Sequence, residues 1–231
     1  MSYNGKYISA VIAASGIGKR MNSKISKQFL CLKEKPILAY TIEKFDNNEY
    51  IDEIIIVTRE EEKEYCFKEV VKKYGFKKVI NIVSGGAERQ DSVYNGLLAV
   101  NSLCDIVIIH DGVRPFVTNE DIIKSIEGAI NYDACVIGTP VKDTIKIVNS
   151  EKDIIDTPDR SKLWAVQTPQ TFSYGLILEA YKKALEDNII ATDDSMLVER
   201  LGYKVKIAEG SYSNIKITTP EDLKLAQILL E

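Results

Sequence analysis

The chain has 231 residues and a net charge of −4 at pH 7. This length suits one α/β domain with a full core rather than two independent domains. The acidic balance disfavours a general nucleic-acid binder, which would show a basic face or stripe. Four widely spaced cysteines and a single histidine indicate reduced thiols rather than a zinc cluster or a disulfide framework. The first apolar run is too short for a signal peptide or a membrane span, which predicts a cytoplasmic protein without membrane contact.

Short apolar runs rich in Ile and Val predict buried strands. They cover residues 8–14, 54–58, 78–83, 106–110, 135–139 and 203–208. Helical patterns lie between most of them, at residues 37–45, 60–74, 89–100, 119–131, 173–187 and 193–201. This alternation predicts an α/β fold with a mainly parallel, Rossmann-like sheet covered by helices on both faces. Ligands of such sheets bind beyond the carboxyl ends of the strands.

The first strand is followed by the sequence AASGIGKRMNSKISKQ, residues 13–28. Gly16 and Gly18 allow a tight turn that presents backbone N–H groups to an anion. Four cations follow the turn within a few residues: Lys19, Arg20, Lys24 and Lys27. In an acidic chain, this local cluster predicts a site for a polyphosphate.

Two familiar phosphate-binding motifs do not match this sequence. A Walker loop needs Gly, four residues, then Gly-Lys-Ser/Thr, but Ala13 stands at the first position and Arg20 at the last. A dinucleotide fingerprint needs a third small residue where Met21 stands. It also needs an acid at the end of the next strand, where the sequence has Thr58 and Arg59.

A second glycine turn, Gly85-Gly86, opens a helix at GGAERQDS. Its backbone and Ser92 could read a base edge, or the segment could be an ordinary helix start with Glu88 and Asp91 countering the dipole. Asp111 ends an apolar strand, where a carboxylate can hold Mg²⁺ or start a turn. We expect His110 to be a hydrogen-bonded structural residue.

Two later segments add candidate contacts. Thr192 is predicted to cap a helix whose first turn carries Asp193 and Asp194, and it is also a candidate ligand contact. The alternative for the two aspartates is a metal role, which we favour less. Lys216 precedes a last helix that should begin at Pro220, and it could be a further cation or the solvent face of a strand.

Residues 141–163 break the alternation of strands and helices. They predict an extended hairpin, with a strand at 144–148, a turn at Asn149-Ser150 and a return through 154–157. A hairpin this long has little core of its own and usually packs on something else. We favour an arm that clasps a second subunit over a flap on the same chain.

Seven motifs in this order carry a resemblance to a known family: AASGIGKRM with Lys27-Gln28, GGAERQDSV, HDGVRPF, PVKDTIK, DR before LWAVQTPQTF, TDD, and NIKITTPEDL. Together they resemble the 2-C-methyl-D-erythritol 4-phosphate cytidylyltransferases of the non-mevalonate isoprenoid pathway. The resemblance implies a nucleotide-diphospho-sugar transferase type of sheet in a single domain, residues 1–231. It also implies a homodimer in which the arm of one subunit helps to close the other's active site.

The resemblance further implies the reaction and the residue roles. The substrate's 4-phosphate would attack the α-phosphorus of CTP and release pyrophosphate, with Asp111 holding Mg²⁺. Arg20 and Lys27 would stabilise the transition state, and Arg160 and Lys216 would orient the nucleophilic oxygen. The loop around the phosphates would be Ala14, Ser15, Gly16, Ile17 and Gly18. The cytosine would meet Gly86, Ala87 and Ser92, and the methylerythritol phosphate would be surrounded by Arg114, Thr144, Arg160, Thr192 and Lys216.

Two alternatives stay open on sequence alone. Ribitol 5-phosphate cytidylyltransferases share the loop, the HD-x-VRP motif, TPQTF and NIKITT, although TDDSMLVE and GGAERQDSV look closer to the methylerythritol enzymes. A regulatory nucleotide-binding subunit without catalysis is disfavoured, because a sensor needs affinity but not cations for a transition state.

Overall fold

The computed structural model describes residues 3–16 and 25–230. Its strands are β1 (Ile8–Ala13), β2 (Cys31–Leu32), β3 (Lys35–Pro36), β4 (Glu53–Thr58), β5 (Val79–Ser84), β6 (Ile106–Asp111), β7 (Ala134–Pro140), β8 (Ile147–Val148), β9 (Ile154–Asp156), β10 (Trp164–Ser173) and β11 (Lys206–Glu209). Seven of them form one sheet in the order β11-β7-β10-β6-β1-β4-β5. The pairs β1–β4, β1–β6, β4–β5 and β7–β11 are parallel, as the sequence predicts for most of the sheet.

The helices are α1 (Ile37–Asp46), α2 (Lys63–Tyr65), α3 (Arg89–Leu98), α4 (Asn119–Tyr132), α5 (Tyr174–Glu186), α6 (Asp194–Arg200) and α7 (Pro220–Leu229). Single 3₁₀ turns lie at Lys27–Phe29, Glu60–Glu62 and Arg160–Lys162. The one long helix predicted over residues 60–74 is instead a 3₁₀ turn, the short α2 and a π-helical segment at Cys66–Lys72. Among these described helices, none has the length and apolar character to cross a bilayer.

Two apolar layers hold helices to the two faces of the sheet. Side chains alternate along a strand, so Ile8 and Ile12 of β1 face one layer while Val11 faces the other. The first layer is completed by α1 and α4, and the second by α3, α5 and α6. Because both faces are covered, the central strands are buried along their whole length, and their carboxyl ends converge on one edge.

Strand β10 was not among the predicted strands. It runs antiparallel between β6 and β7. Its sequence, WAVQTPQTFS, is polar for a central strand and contains a proline. The polar side chains are buried, and they are satisfied by tertiary hydrogen bonds such as Thr171 Oγ1 to Ser125 Oγ at 2.8 Å. The prediction failed here because apolar continuity detects strands buried in an apolar environment, and β10 is buried among polar partners.

The predicted hairpin is present but its paired part is shorter. Only β8 and β9 pair, and they are antiparallel. We predicted a strand over residues 144–148, but residues 144–146 are not in a strand. Asn149 organises the turn, because its Oδ1 accepts from the Glu151 and Asp153 amides. The base of the hairpin is closed by the Val141 amide donating to the Leu163 carbonyl at 3.0 Å. Ile147, Val148, Ile154 and Ile155 are all exposed on this ribbon.

Candidate active site

Two adjacent cavities lie at the carboxyl ends of the strands. The first has a volume of about 370 Å³ and its lining includes nine of the predicted site residues: Ala14, Ser15, Gly16, Lys27, Gly86, Ala87, Ser92, Asp111 and Lys216. The second has a volume of about 540 Å³ and is lined by Arg114 and Thr192 among others. Arg89, Asp111 and Lys216 line both cavities, so these side chains stand at the junction.

The first cavity is walled by two glycine turns that touch each other. Ser15 Oγ donates to Ser92 Oγ at 2.8 Å, and the Gly86 amide donates to the same hydroxyl at 3.0 Å. A Cβ at Gly85 would come within 2.6 Å of the Ser15 side chain. The chain therefore needs glycine there because the loop after β5 approaches the loop after β1 too closely for a side chain.

Asp111 ends β6 and is surrounded by cations from three segments. Its Oδ2 lies 2.7 Å from Lys216 Nζ, its Oδ1 accepts from Arg89 Nε at 3.2 Å, and Arg114 Nε lies 3.5 Å from Oδ2. Burial alone would raise the pKa of Asp111, but the charges of the three cations outweigh it and hold that pKa well below its ordinary value. Asp111 is therefore a carboxylate at any physiological pH, and Lys216 is a cation of the site rather than the solvent face of a strand.

Arg89 is a site residue that the sequence analysis missed. Besides Asp111, its guanidinium donates to both carboxylate oxygens of Asp194, each at 2.8 Å. Tyr181 also donates to Asp194, at 2.5 Å. Arg89 occupies the first position of α3, where a cation opposes the helix dipole. That unfavourable position is the signal in the sequence that could have pointed to acidic partners elsewhere.

His110 is structural, as predicted, and it orients the residue beside it. Burial lowers the pKa of His110 to about 3, so the ring is neutral. Its Nε2 lies 3.1 Å from the Arg114 carbonyl, which can only accept, so Nδ1 must accept from Thr168 Oγ1 at 3.0 Å. Thr168 Oγ1 in turn accepts from the Asp111 amide at 3.1 Å, which ties the carboxylate's backbone to β10.

Arg114 and Thr192 line the second cavity. The prediction that Thr192 caps α6 is wrong. Asp193 is the cap, and its side chain accepts from the Met196 amide. Its second carboxylate oxygen also accepts from Gln170 Nε2 at 2.9 Å. Thr192 is exposed at the rim of the cavity. Arg114 is held by donating to the Asn214 carbonyl at 2.7 Å.

Two predicted site residues in the described part of the chain line neither cavity. Thr144 and Arg160 lie on the exposed hairpin, where Arg160 Nη1 donates to the Lys142 carbonyl at 2.7 Å. Ile17, Gly18 and Arg20 lie outside the described residues.

A mainly parallel sheet with two glycine turns and a cation-ringed carboxylate at its carboxyl edge is typical of α/β proteins that bind phosphorylated nucleotides. Residues 8–231 match the family model of 2-C-methyl-D-erythritol 4-phosphate cytidylyltransferase. Proteins of that name from Caldanaerobacter subterraneus and Clostridium botulinum are 53% and 54% identical over 96% of this chain, which spans 98% and 97% of their lengths.

Solved structures agree with the sequence relatives. The crystal structure of 4-diphosphocytidyl-2C-methyl-D-erythritol synthase from Anaerococcus prevotii is 36% identical with a TM-score of 0.87, covering 98% of this chain and 97% of that one. The Francisella tularensis 2-C-methyl-D-erythritol 4-phosphate cytidylyltransferase is 29% identical with a TM-score of 0.81, covering 96% and 99%. The chain belongs to the 2-C-methyl-D-erythritol 4-phosphate cytidylyltransferase family. It is a cytidylyltransferase of the non-mevalonate isoprenoid pathway, as the resemblance implied.

Proposed function

We propose that the chain transfers CMP from CTP to 2-C-methyl-D-erythritol 4-phosphate by positioning and charge neutralisation alone. The observation that carries this proposal is the junction of the two cavities, where Asp111 is ringed by Arg89, Arg114 and Lys216. An in-line displacement at phosphorus needs no covalent partner from the protein, only aligned reactants and groups that offset developing charge. Two cavities sharing one charged wall suit two phosphorylated substrates that must meet there.

In this proposal, CTP occupies the first cavity. Ala14, Ser15 and Gly16, together with Ile17 and Gly18, would surround its phosphates, because backbone N–H groups in glycine turns bind anions. Gly86, Ala87 and Ser92 would meet the cytosine. Ala87 has no polar side chain, so contact there would come from the backbone. Lys27, with Arg20, would offset the charge that builds on the triphosphate in the transition state.

Asp111 has the chemistry to hold Mg²⁺. Its oxygens are hard anionic donors beside the proposed phosphate loop, and Mg²⁺ is commonly held by one or two carboxylates plus substrate phosphates and water. Within residues 3–16 and 25–230, no group of three or more His, Cys, Asp or Glu side chains could hold a metal ion. When bound, the ion would neutralise charge on the phosphates.

The methylerythritol phosphate would occupy the second cavity, near Arg114, Thr192 and Lys216. Thr144 and Arg160, which the family resemblance assigns to the same substrate, line neither cavity of their own chain. If they touch the substrate, they do so in a second copy. We therefore propose a homodimer in which the arm at residues 141–163 reaches the second cavity of the other subunit. Arg160 of the arm and the Lys216 that lines that cavity would together orient the attacking oxygen.

The substrate assignment is tested by pyrophosphate release with CTP and Mg²⁺. We expect release with 2-C-methyl-D-erythritol 4-phosphate, and a value of kcat/KM at least about tenfold lower with ribitol 5-phosphate, because the cavity must exclude a differently shaped polyol. UTP in place of CTP is the control for the base. Release with ribitol 5-phosphate alone would reverse the assignment, and release with neither would favour a regulatory protein.

Substitutions in the arm test whether it forms the dimer interface. In the variant with Ile154→Asp and Ile155→Asp, both exposed at about 62–63%, we expect the mass in solution to fall to that of a monomer. Two carboxylates in an apolar interface cost several kcal/mol of association free energy, about 10²-fold or more in the dissociation constant. The control Leu103→Asp changes a residue that is 69% exposed outside the arm, and it should leave the mass unchanged. An arm variant that keeps the wild-type mass by light scattering would contradict the proposal.

We also propose that residues 1–231 form a single catalytic domain from which the arm protrudes. The shared sheet supports this division, because β7 and β10 continue directly into the base of the arm. The cytoplasmic location stays a prediction from the sequence.

A further inference from the structure

An ion pair that the family motifs do not include forms hydrogen bonds with the segment that carries Lys27. Arg59, directly after β4, and Glu62, in the next 3₁₀ turn, form a salt bridge in which the Arg59 side chain is 34% exposed and the Glu62 side chain is 11% exposed. Arg59 Nη2 also donates to Ser26 Oγ at 2.8 Å, and Glu62 Oε2 accepts from Gln28 Nε2 at 3.2 Å. The Arg59–Glu62 pair thus binds the residue before Lys27 and the residue after it.

Three of the four side chains, those of Ser26, Gln28 and Glu62, are buried, and that of Arg59 is partly exposed. Gln28 is 1% exposed and Glu62 is 9% exposed. Burial would raise the pKa of Glu62, but hydrogen bonds from Arg59, Ser26 and Thr58 together lower it, so the carboxylate stays charged. Thr58 Oγ1 donates to Glu62 Oε2 at 3.2 Å and fixes the carboxylate to the end of β4. The pair therefore connects the Lys27 segment to a central, fully buried strand.

Lys27 needs such a connection because its own segment is short. It lies in a single 3₁₀ turn, Lys27–Phe29, and its side chain reaches the first cavity beside Gly16, where Lys27 Cε is 3.8 Å from the position of a Gly16 Cβ. A long lysine side chain on a short turn is adaptable, and a displacement of about 1 Å in a group that must face a transition state can cost about 10²-fold in rate.

We propose that Arg59 and Glu62 are positioning residues that fix Lys27 against the triphosphate. They bind neither substrate, and they act by holding Ser26 and Gln28 on the two sides of the lysine. This inference rests on the role proposed above for Lys27. It assigns a specific task to Glu62, the last residue of the acidic run Glu60 to Glu62.

A double-mutant cycle separates positioning from general structural support. Glu62→Ala should lower kcat about 10- to 50-fold while KM for CTP changes less than about threefold, because the lost contacts act on a transition-state group. In the Lys27→Ala background, the same substitution should lower kcat by no more than about twofold, because no lysine is left to position. Equal losses in both backgrounds would overturn the proposal. If Lys27→Ala alone kept normal turnover, the catalytic role of Lys27 would fall instead, and this inference with it.

Three further variants distinguish a loss of positioning from a loss of folding. Ser26→Ala removes only the hydroxyl that Arg59 binds, and it should show the same dependence on Lys27 with a smaller loss, about three- to tenfold. Glu61→Ala is the matched control: Glu61 also pairs with Arg59, at 2.9 Å, but contacts neither Ser26 nor Gln28, so kcat should be unchanged. Glu62→Gln keeps an acceptor for Gln28 and should restore part of the loss of Glu62→Ala. A Glu61→Ala variant as slow as Glu62→Ala would contradict the assignment.

Discussion

Replacing Lys27 by alanine is expected to lower turnover by about 10²–10³ with the fold intact, because it removes one preorganised charge facing the transition state. Lys27 lines the first cavity, and the side chains of the residues before and after it are hydrogen-bonded to Arg59 and Glu62. Removing the ammonium leaves this framework in place. We expect the same loss for Arg20→Ala, where the argument rests on the family resemblance because Arg20 lies outside the described residues.

The measurement is kcat for pyrophosphate release at saturating CTP and Mg²⁺, with the melting temperature as the check on folding. Lys27→Met keeps the aliphatic stem and removes the charge, so equal losses in the Ala and Met variants would assign the effect to the charge. Lys33→Ala is a matched control, since Lys33 Nζ donates to the Leu230 carbonyl outside both cavities. Turnover within about threefold of wild type in Lys27→Ala would remove this lysine from the catalytic group.

Most of the sheet could be predicted because its strands are apolar throughout. Parallel strands covered on both faces, such as β4 and β6, must be continuous runs of Ile and Val, and that pattern is visible in one sequence. Strand β10 escaped for the opposite reason. Thr168 and Gln170 are buried there only because His110, Asp193 and the amides of α6 satisfy them. Those partners lie far away along the chain, so spacing alone cannot reveal them.

Site residues that stand in short sequence motifs could be predicted. Residues whose role depends on contacts with distant segments could not. The two glycine turns, Asp111 and Lys27 stand in recognisable motifs, and the structure brings them to one cavity. Arg89 was missed because its partners, Asp111 and Asp194, come from other segments. The helix cap of α6 was assigned to Thr192 rather than Asp193, because both residue types are good caps and only the backbone geometry distinguishes them.

Asp111→Asn is expected to lower turnover by about 10³ or more, the largest loss of any single substitution considered for this site. The variant keeps the size of the side chain and removes its charge. Two consequences follow. The carboxylate proposed to hold Mg²⁺ is lost, and Arg89, Arg114 and Lys216 lose the anion that they share. Without it, the three cations repel one another at the point where the substrates should meet.

The second consequence has a readout that is independent of catalysis. Removing one partner of a buried ion pair costs about 3–5 kcal/mol, and because Arg89 and Lys216 are 32% and 36% exposed, water reduces this to about 1–3 kcal/mol of unfolding free energy. The folded-state pKa of Asp111 lies below its ordinary value, so this stability is present above a pH of about 4 and is lost as pH falls through the folded-state pKa. The difference between wild type and variant should therefore be constant from about pH 5 to 8.

The effect of Mg²⁺ on the melting temperature distinguishes the metal-binding role of Asp111 from its role in pairing with the three cations. With CTP present, Mg²⁺ should raise the melting temperature of the wild type in a saturable way, since a ligand that binds only the folded state stabilises it, and it should not do so for Asp111→Asn. Asp105→Asn is the control. Asp105 precedes the opposite end of the same strand and pairs with Lys6 at 3.1 Å, so its loss should reduce stability without reducing turnover or the Mg²⁺ response. An Asp111→Asn variant that keeps a normal Mg²⁺ response would show that the ion is held by other groups, while the loss of stability would still report the ring of cations.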